Sequence, residues 1–262
     1  MDVLVILKMV PDVVEELEIA GDGAALDADA LRMMLSESDD HALEEALLLK
    51  ERLGGRVTVV AVDAPEVDDA LFTALAKGAD RAVKVDTGDT APPGTRAAAD
   101  LLAAILADGH NLLPADLVLT GTQAIDDLDG LMAPLVAHQL GLPYLGIVTE
   151  VVPQPAKGIV SVVKEYSGGV RGRFEVDLPA VLGIQSAERP PRYVPVAKVR
   201  NAMKTQRIET VAAPTLAEAG PPLAAVTLMA KPPETGLAEM IEGSPEAACE
   251  RLCGILAERG LV

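Results

Sequence analysis

Asp116-Leu117-Val118-Leu119-Thr120-Gly121-Thr122-Gln123-Ala124-Ile125-Asp126-Asp127 runs from a continuous apolar strand straight into a loop of small residues, and a helical pattern follows from about Gly130 to Leu140. A strand apolar on both faces belongs inside a parallel sheet covered by helices. In such sheets ligands collect at the carboxyl ends of strands, where backbone N–H groups and a helix amino terminus face the crevice. The loop after Thr120 is therefore the first place to look for a nucleotide.

The same alternation extends toward the amino terminus. Met1 to Leu7 is a short apolar strand, after which Pro11 stops any helical continuation and a loop of Gly and Asp follows. A helix begins near Ser38 or Asp39, carries its acids early and its bases late, and ends at Gly54-Gly55. Val57 to Val62 reads as a fully apolar strand, Val67 to Lys77 as an amphipathic helix stopped by Gly78, Arg81 to Val85 as a strand, and Thr95 to Ala107 as a helix. This order predicts right-handed crossovers and an α/β fold with a doubly wound, mostly parallel, Rossmann-like sheet.

Toward the carboxyl terminus the texture changes to strand-like runs at Leu145 to Val151, Ile159 to Tyr166 and Val170 to Val176. Ser167-Gly168-Gly169 supplies the positive φ values of a tight β-hairpin between the last two. Leu178 to Ile184 is one more buried strand. Beyond it the period is lost, and Arg189 to Pro195 is too rich in Pro for regular structure. Residues 1–205 are thus expected to form the α/β nucleotide-binding domain. Residues 206–262 are expected to form an extended arm, Pro- and Ala-rich from Ala212 to Pro233, closed by a helix from Pro245 that Ser244 caps and Gly260 ends. Ordering such an arm costs entropy that a partner surface would offset.

Composition removes several classes. Aromatic residues make up 2% of the 262, namely Phe72, Tyr144, Tyr166, Phe174 and Tyr193, so a stacking platform for single-stranded nucleic acid is not available. A formal charge of −18 repels a polyphosphate backbone. No apolar run approaches the roughly 18 residues of a membrane helix, and Asp2 and Lys8 do not suit a signal peptide, so a cytoplasmic protein without membrane insertion is expected. Cys249 and Cys253 stand four apart without a neighbouring His and read as reduced thiols on a helix face, not as metal ligands.

No catalytic constellation assembles from the sequence. His41, His110 and His138 lie beside no Cys or Ser elbow and read as surface or cap residues. Asp39-Asp40 and Glu44-Glu45 read as helix amino-terminal acids in place of an acid–base pair. The Gly-x-Gly-x-x-Gly and Walker patterns are absent. Two readings stand for the loops after Leu7 and Thr120: a nucleotide crevice without hydrolytic machinery, or plain strand-to-helix turns.

A set of short motifs then resembles one family. Lys8-Met9-Val10-Pro11-Asp12, Ala42-Leu43-Glu44-Glu45-Ala46-Leu47, Ala74 to Ala82, Gly121 to Asp126, Gly141-Leu142-Pro143, Leu178-Pro179-Ala180-Val181 and Pro191-Arg192-Tyr193 are similar, in order and in distance, to the β subunit of electron transfer flavoproteins. Glu239 to Ala248 resembles the carboxyl ends of the longer bacterial β subunits, including those of electron-bifurcating and nitrogen-fixation-associated complexes. The resemblance implies a heterodimer with an α subunit that holds most of one FAD. It also implies AMP, or in bifurcating members a second FAD, in the β-subunit crevice, and redox partner dehydrogenases that dock on the assembly.

By position, the resemblance assigns Leu7, Lys8, Met9, Ser36 and Ala61 to the adenine side. It assigns Thr122, Gln123, Ala124, Ile125, Asp126, Asp129, Gly130, Leu131 and Met132 to the phosphate loop. Glu165 would face the α subunit, and the segment Arg192 to Met203, with Tyr193 and with Val196 as its apolar anchor, would dock dehydrogenases. The chain departs from the family pattern at Ser36-Glu37, which replaces Asn-Pro, and at Lys8-Met9. It departs again at Asp129-Gly130-Leu131-Met132, where hydroxyl donors are lost and a carboxylate is gained. A negative charge a few ångströms from a phosphate costs on the order of 1 to 4 kcal/mol at effective dielectrics of about 80 to 20. The sequence thus supports an electron transfer flavoprotein β subunit without catalytic residues or metal. The alternative is a stand-alone adenine-nucleotide-sensing protein of the same fold. An adenylate-consuming enzyme is disfavoured because Ser167-Gly168-Gly169 lies between strands.

Overall fold

The computed structural model describes residues 1–88, 94–107, 110–127, 129–214, 226–233, 236, 238 and 240–261. Val3–Leu7 forms β1, every residue of it buried, and a short antiparallel ribbon of Met9–Pro11 (β2) and Met33–Leu35 (β3) follows. Glu37–Leu53 is α1, Val57–Val62 β4, Val67–Lys77 α2, Arg81–Asp86 β5 and Thr95–Ala107 α3. Leu117–Gly121 is β6 and Met132–Leu140 is α4. Tyr144–Gln154 (β7), Ile159–Glu165 (β8) and Arg171–Asp177 (β9) form an antiparallel meander, and Ala180–Ile184 is β10. Val196–Thr205 (α5), Ile208–Ala212 (β11) and Pro245–Glu258 (α6) complete the order.

The main sheet has nine strands in the order β11-β5-β4-β1-β6-β10-β7-β8-β9. It is parallel from β11 to β7, and β8 and β9 add antiparallel strands at one edge. The sheet is covered on both faces. Val3, Val5 and Leu7 join Leu43, Leu47 and Leu71 of α1 and α2 in one core, whereas Leu4 and Ile6 join Leu102, Ile105 and Val136 of α3 and α4 in the other. Alternate residues of one strand thus serve opposite cores, which is why β1 is apolar without interruption.

The hairpin turn has Gly168 at φ 75° and Gly169 at φ 76°, as the sequence predicts. The tract after β1, expected to be loop, contributes the ribbon of β2 and β3. The segment after Ile184, expected to lack regular structure, contains α5 and β11. α5 packs on α2 and buries Ala202 alone; Val196, Val199, Ala202 and Met203 recur in it at helical spacing, between Lys198, Arg200 and Lys204, a local signal that the Pro-rich run before it obscures. β11 pairs in parallel with β5, which carries the sheet past the boundary expected at 205. Residues 215–225 and Glu239, which fall in the expected arm and its carboxyl-terminal motif, lie outside the described residues. α6 is capped by Ser244, whose hydroxyl accepts the Ala247 N–H at 3.3 Å, and it buries none of its residues. Among the described residues no helix is long and apolar enough to cross a membrane.

Candidate functional site

From β1 the chain passes through α1 to β4 and β5 on one side, then returns through α3 to β6 on the other. The strand order therefore reverses between β1 and β6, and a crevice opens beyond their carboxyl ends. Lys8, the residue after β1, spans it. Its Nζ lies 2.6 Å from Asp126 Oδ1 and 2.9 Å from Asp127 Oδ2, so the turns after β1 and β6 meet in one cleft. Burial pulls the Lys8 ammonium down, and its two carboxylate partners more than offset this, leaving it above the ordinary lysine value.

Asp39, in the first turn of α1, sits under this junction. Its carboxylate accepts the Gly121 N–H at 2.5 Å and the Lys8 N–H at 3.1 Å, which ties the ends of β6 and β1 to one helix. Burial pushes the carboxyl up from 3.8 to about 7, against the pull of those two N–H groups and the Lys8 charge. The close approach also explains Gly121. A Cβ there would stand 2.2 Å from Ser38 Oγ and 2.8 Å from Asp39 Oδ1.

The crevice encloses a cavity of about 300 Å³. Its walls are Ile6, Leu7, Lys8 and Met9 after β1, Val62, Asp63 and Ala64 after β4, and Gly94, Thr95, Ala98 and Leu102 at the start of α3; Met33, Asp126, Asp127 and Met132 close it. A second cleft of about 20 Å³ adjoins it, lined by Thr120, Gly121, Thr122, Gln123, Ala124 and Gly130 together with Lys8, Asp39 and Asp127.

The residues assigned by resemblance separate into three groups. Leu7, Lys8, Met9, Asp126 and Met132 line the larger cavity, and Thr122, Gln123, Ala124 and Gly130 line the smaller cleft. Ile125, Asp129 and Leu131 line neither; Ile125 is 52% exposed, and the Leu131 N–H points back to Asp129 Oδ1 at 3.2 Å. Ser36 is buried beneath, its N–H on the Lys8 carbonyl at 2.9 Å, and Ala61 lies in register with Leu7, just short of the wall. Val62 to Ala64, Thr95, Ala98 and Asp127 were missed by that assignment, although the rule that ligands gather beyond strand ends and at helix starts points to them.

The apolar walls and a volume at the lower end of ordinary ligand pockets suit an adenosine-sized group. A phosphate is not accommodated in the small cleft, which has room for about one water. Lys8, the cation that lines both spaces among the described residues, already faces two carboxylates.

On the opposite side of α1, Glu44 and Glu45 are buried in the middle of the helix and are not amino-terminal acids. They hold the segment after β10. Arg192 donates from Nε and from a terminal nitrogen to the Glu44 carboxylate, at 2.8 to 3.1 Å, and reaches Glu51 at 2.7 Å. The guanidinium holds Glu44 below the ordinary range against the opposing effect of burial, whereas burial raises Glu45 despite the Glu188 N–H it accepts. His41 joins this network, its Nδ1 accepting the Ala187 N–H at 3.2 Å, and is no mere surface residue. Arg192 therefore anchors the segment through ion pairs within the chain, with its side chain still 29% exposed. It presents Tyr193, 82% exposed, and Val196, 60% exposed, at the surface. Glu165 pairs across the hairpin with Arg171 at 2.7 Å.

Comparison with known proteins follows the same lines. The model of the electron transfer flavoprotein domain matches residues 25–216. The electron transfer flavoprotein subunit beta of Methylophilus methylotrophus is 32% identical over 98% of both chains. That of Syntrophomonas wolfei is 34% identical over 95% of this chain and 93% of its own. Protein FixA of Azotobacter vinelandii is 33% identical over 61% of this chain and 57% of its own.

Proposed function

Because this chain belongs to the electron transfer flavoprotein β-subunit family, we propose that it is one half of a heterodimeric electron carrier whose other half is an α subunit. A role in electron transfer follows from the family. The chain serves as a scaffold: it helps form a FAD site shared with the α subunit, shields it from water and offers a docking surface to dehydrogenases, without bond-making chemistry of its own. The crevice between β1 and β6 holds an adenine-bearing group, for which the family supplies AMP and a second FAD as candidates. The assembly acts in the cytoplasm.

The observation that carries the heterodimer is apolar surface left uncovered. Tyr144, Ile147, Val152, Tyr166, Val170 and Phe174 of the β7–β9 meander are 37% to 60% exposed, and α6 buries no residue within its own chain. Apolar exposure of this kind marks interaction surfaces, and Tyr166 and Phe174 lie together over Gly172. It favours a subunit over a stand-alone nucleotide sensor. The arm beyond the sheet, ending in α6, belongs to the same partner contact. Co-expression with an electron transfer flavoprotein α subunit should yield a stable, yellow one-to-one complex with flavin absorbance. A colourless chain that never associates would overturn the proposal.

A further inference from the structure

We propose that the crevice takes an unphosphorylated adenine nucleoside in preference to its phosphorylated counterpart, because the loop after β6 is closed upon its own carboxylates. The inference rests on the adenine reading of the crevice and departs from the family's AMP and FAD in that the residues present here do not fit the phosphate.

Three features of the loop work against an anion. The first is its donors. A phosphate loop recognises its ligand through successive free N–H groups. Here the Ala124 N–H is taken by Asp127 Oδ1 at 3.2 Å, the Leu131 N–H by Asp129 Oδ1 at 3.2 Å and the Thr122 N–H by the Ile184 carbonyl at 2.9 Å. The carboxylates of the loop occupy the role of the missing anion.

The second is charge. Lys8 is paired with Asp126 and Asp127, so that trio carries a net negative charge before any ligand arrives. Asp63, on the facing wall, has Lys84 at 3.6 Å, but Lys84 lies nearer Asp68, at 2.9 Å. Arg96, the next cation along α3, is exposed and lines neither space. The third is room. The cleft between Thr122 and Gly130 holds about 20 Å³, whereas the apolar cavity next to it holds about 300 Å³. Adenine and ribose have a place; a dianion beside the loop meets carboxylates.

Isothermal titration calorimetry on the full-length chain tests this with adenosine and AMP at low and moderate salt. Adenosine is expected to bind about tenfold or more tightly than AMP, since one unscreened repulsion of this kind is worth about a factor of ten or more. Adenosine affinity should ignore salt, and AMP should tighten as salt screens the repulsion. AMP binding as well as or better than adenosine would overturn the preference and leave the adenine site standing. Failure of both to bind would overturn the adenine site itself, and the preference with it. Asp126→Asn supplies a second arm. Asp126 is partly exposed and bonds Lys8 alone among the side chains, so the variant should fold, and the ratio of adenosine to AMP affinity should fall about tenfold. An unaltered preference in that variant counts against the proposal.

Discussion

Asp39 is buried and still ties two strand ends together, so its protonation state is part of the fold. Its folded carboxyl keeps its proton up to about pH 7, while in the unfolded chain it loses it near 3.8. Between those values the folded state binds the extra proton, and stability from this group falls as pH rises through the window and levels off above it. Thermal melts of the parent and Asp39→Asn from pH 4 to 8 should therefore show the parent losing Tm relative to the variant as pH rises toward about 7. Parallel Tm curves would contradict this. Glu44 is the opposite case. Its carboxylate is held down by Arg192, so Arg192→Met leaves a buried charge without its fork of donors. The expected cost is about 3 kcal/mol in urea denaturation, at the low end for a broken buried pair because the guanidinium is itself part exposed.

The elements meet tightly where α1 crosses the end of β6. Gly121→Ala puts a methyl against Ser38 and Asp39 of the helix; Asp39 cannot move without releasing the Lys8 and Gly121 N–H groups, nor Ser38 without releasing the Gln123 carbonyl to which its hydroxyl donates. A loss of about 1 to 3 kcal/mol is expected, with weaker ligand binding in the crevice above. Ile105→Ala, on the core face of α3, should cost about 2 to 5 kcal/mol by the cavity it leaves, with no change in the α1 face. Both can be read from chemical denaturation. Helices α1 to α4 announce themselves because they bury wide apolar stripes. α5 has a helical period in Val196, Val199, Ala202 and Met203 but buries Ala202 alone, and it follows directly on a Pro-rich run that reads as irregular.

For the whole molecule, the meander and α6 are the surfaces on which the proposed heterodimer is tested. Val170 is 60% exposed beside the hairpin turn, so Val170→Asp should leave the unfolding free energy of the isolated chain within about 0.5 kcal/mol. The same change should weaken co-purification with the α subunit by about tenfold or more, as expected for a charge placed in an apolar interface core. Full retention of the complex would place the α subunit elsewhere.

The sequence by itself determined the parallel α/β sheet, the hairpin, the capped terminal helix and the loops that flank the crevice, because uninterrupted apolar strands and glycine turns are local signals. Only tertiary structure decided that Lys8 closes the crevice onto Asp126 and Asp127, that Asp39 lies buried beneath it, and that Arg192 faces inward to Glu44. These are contacts between charged residues 31 to 148 positions apart, and a carboxylate looks the same in sequence whether it caps a helix in water or pairs inside the fold. Burial makes the difference: once water is excluded, each charge must find a partner, and the chain path alone selects which one.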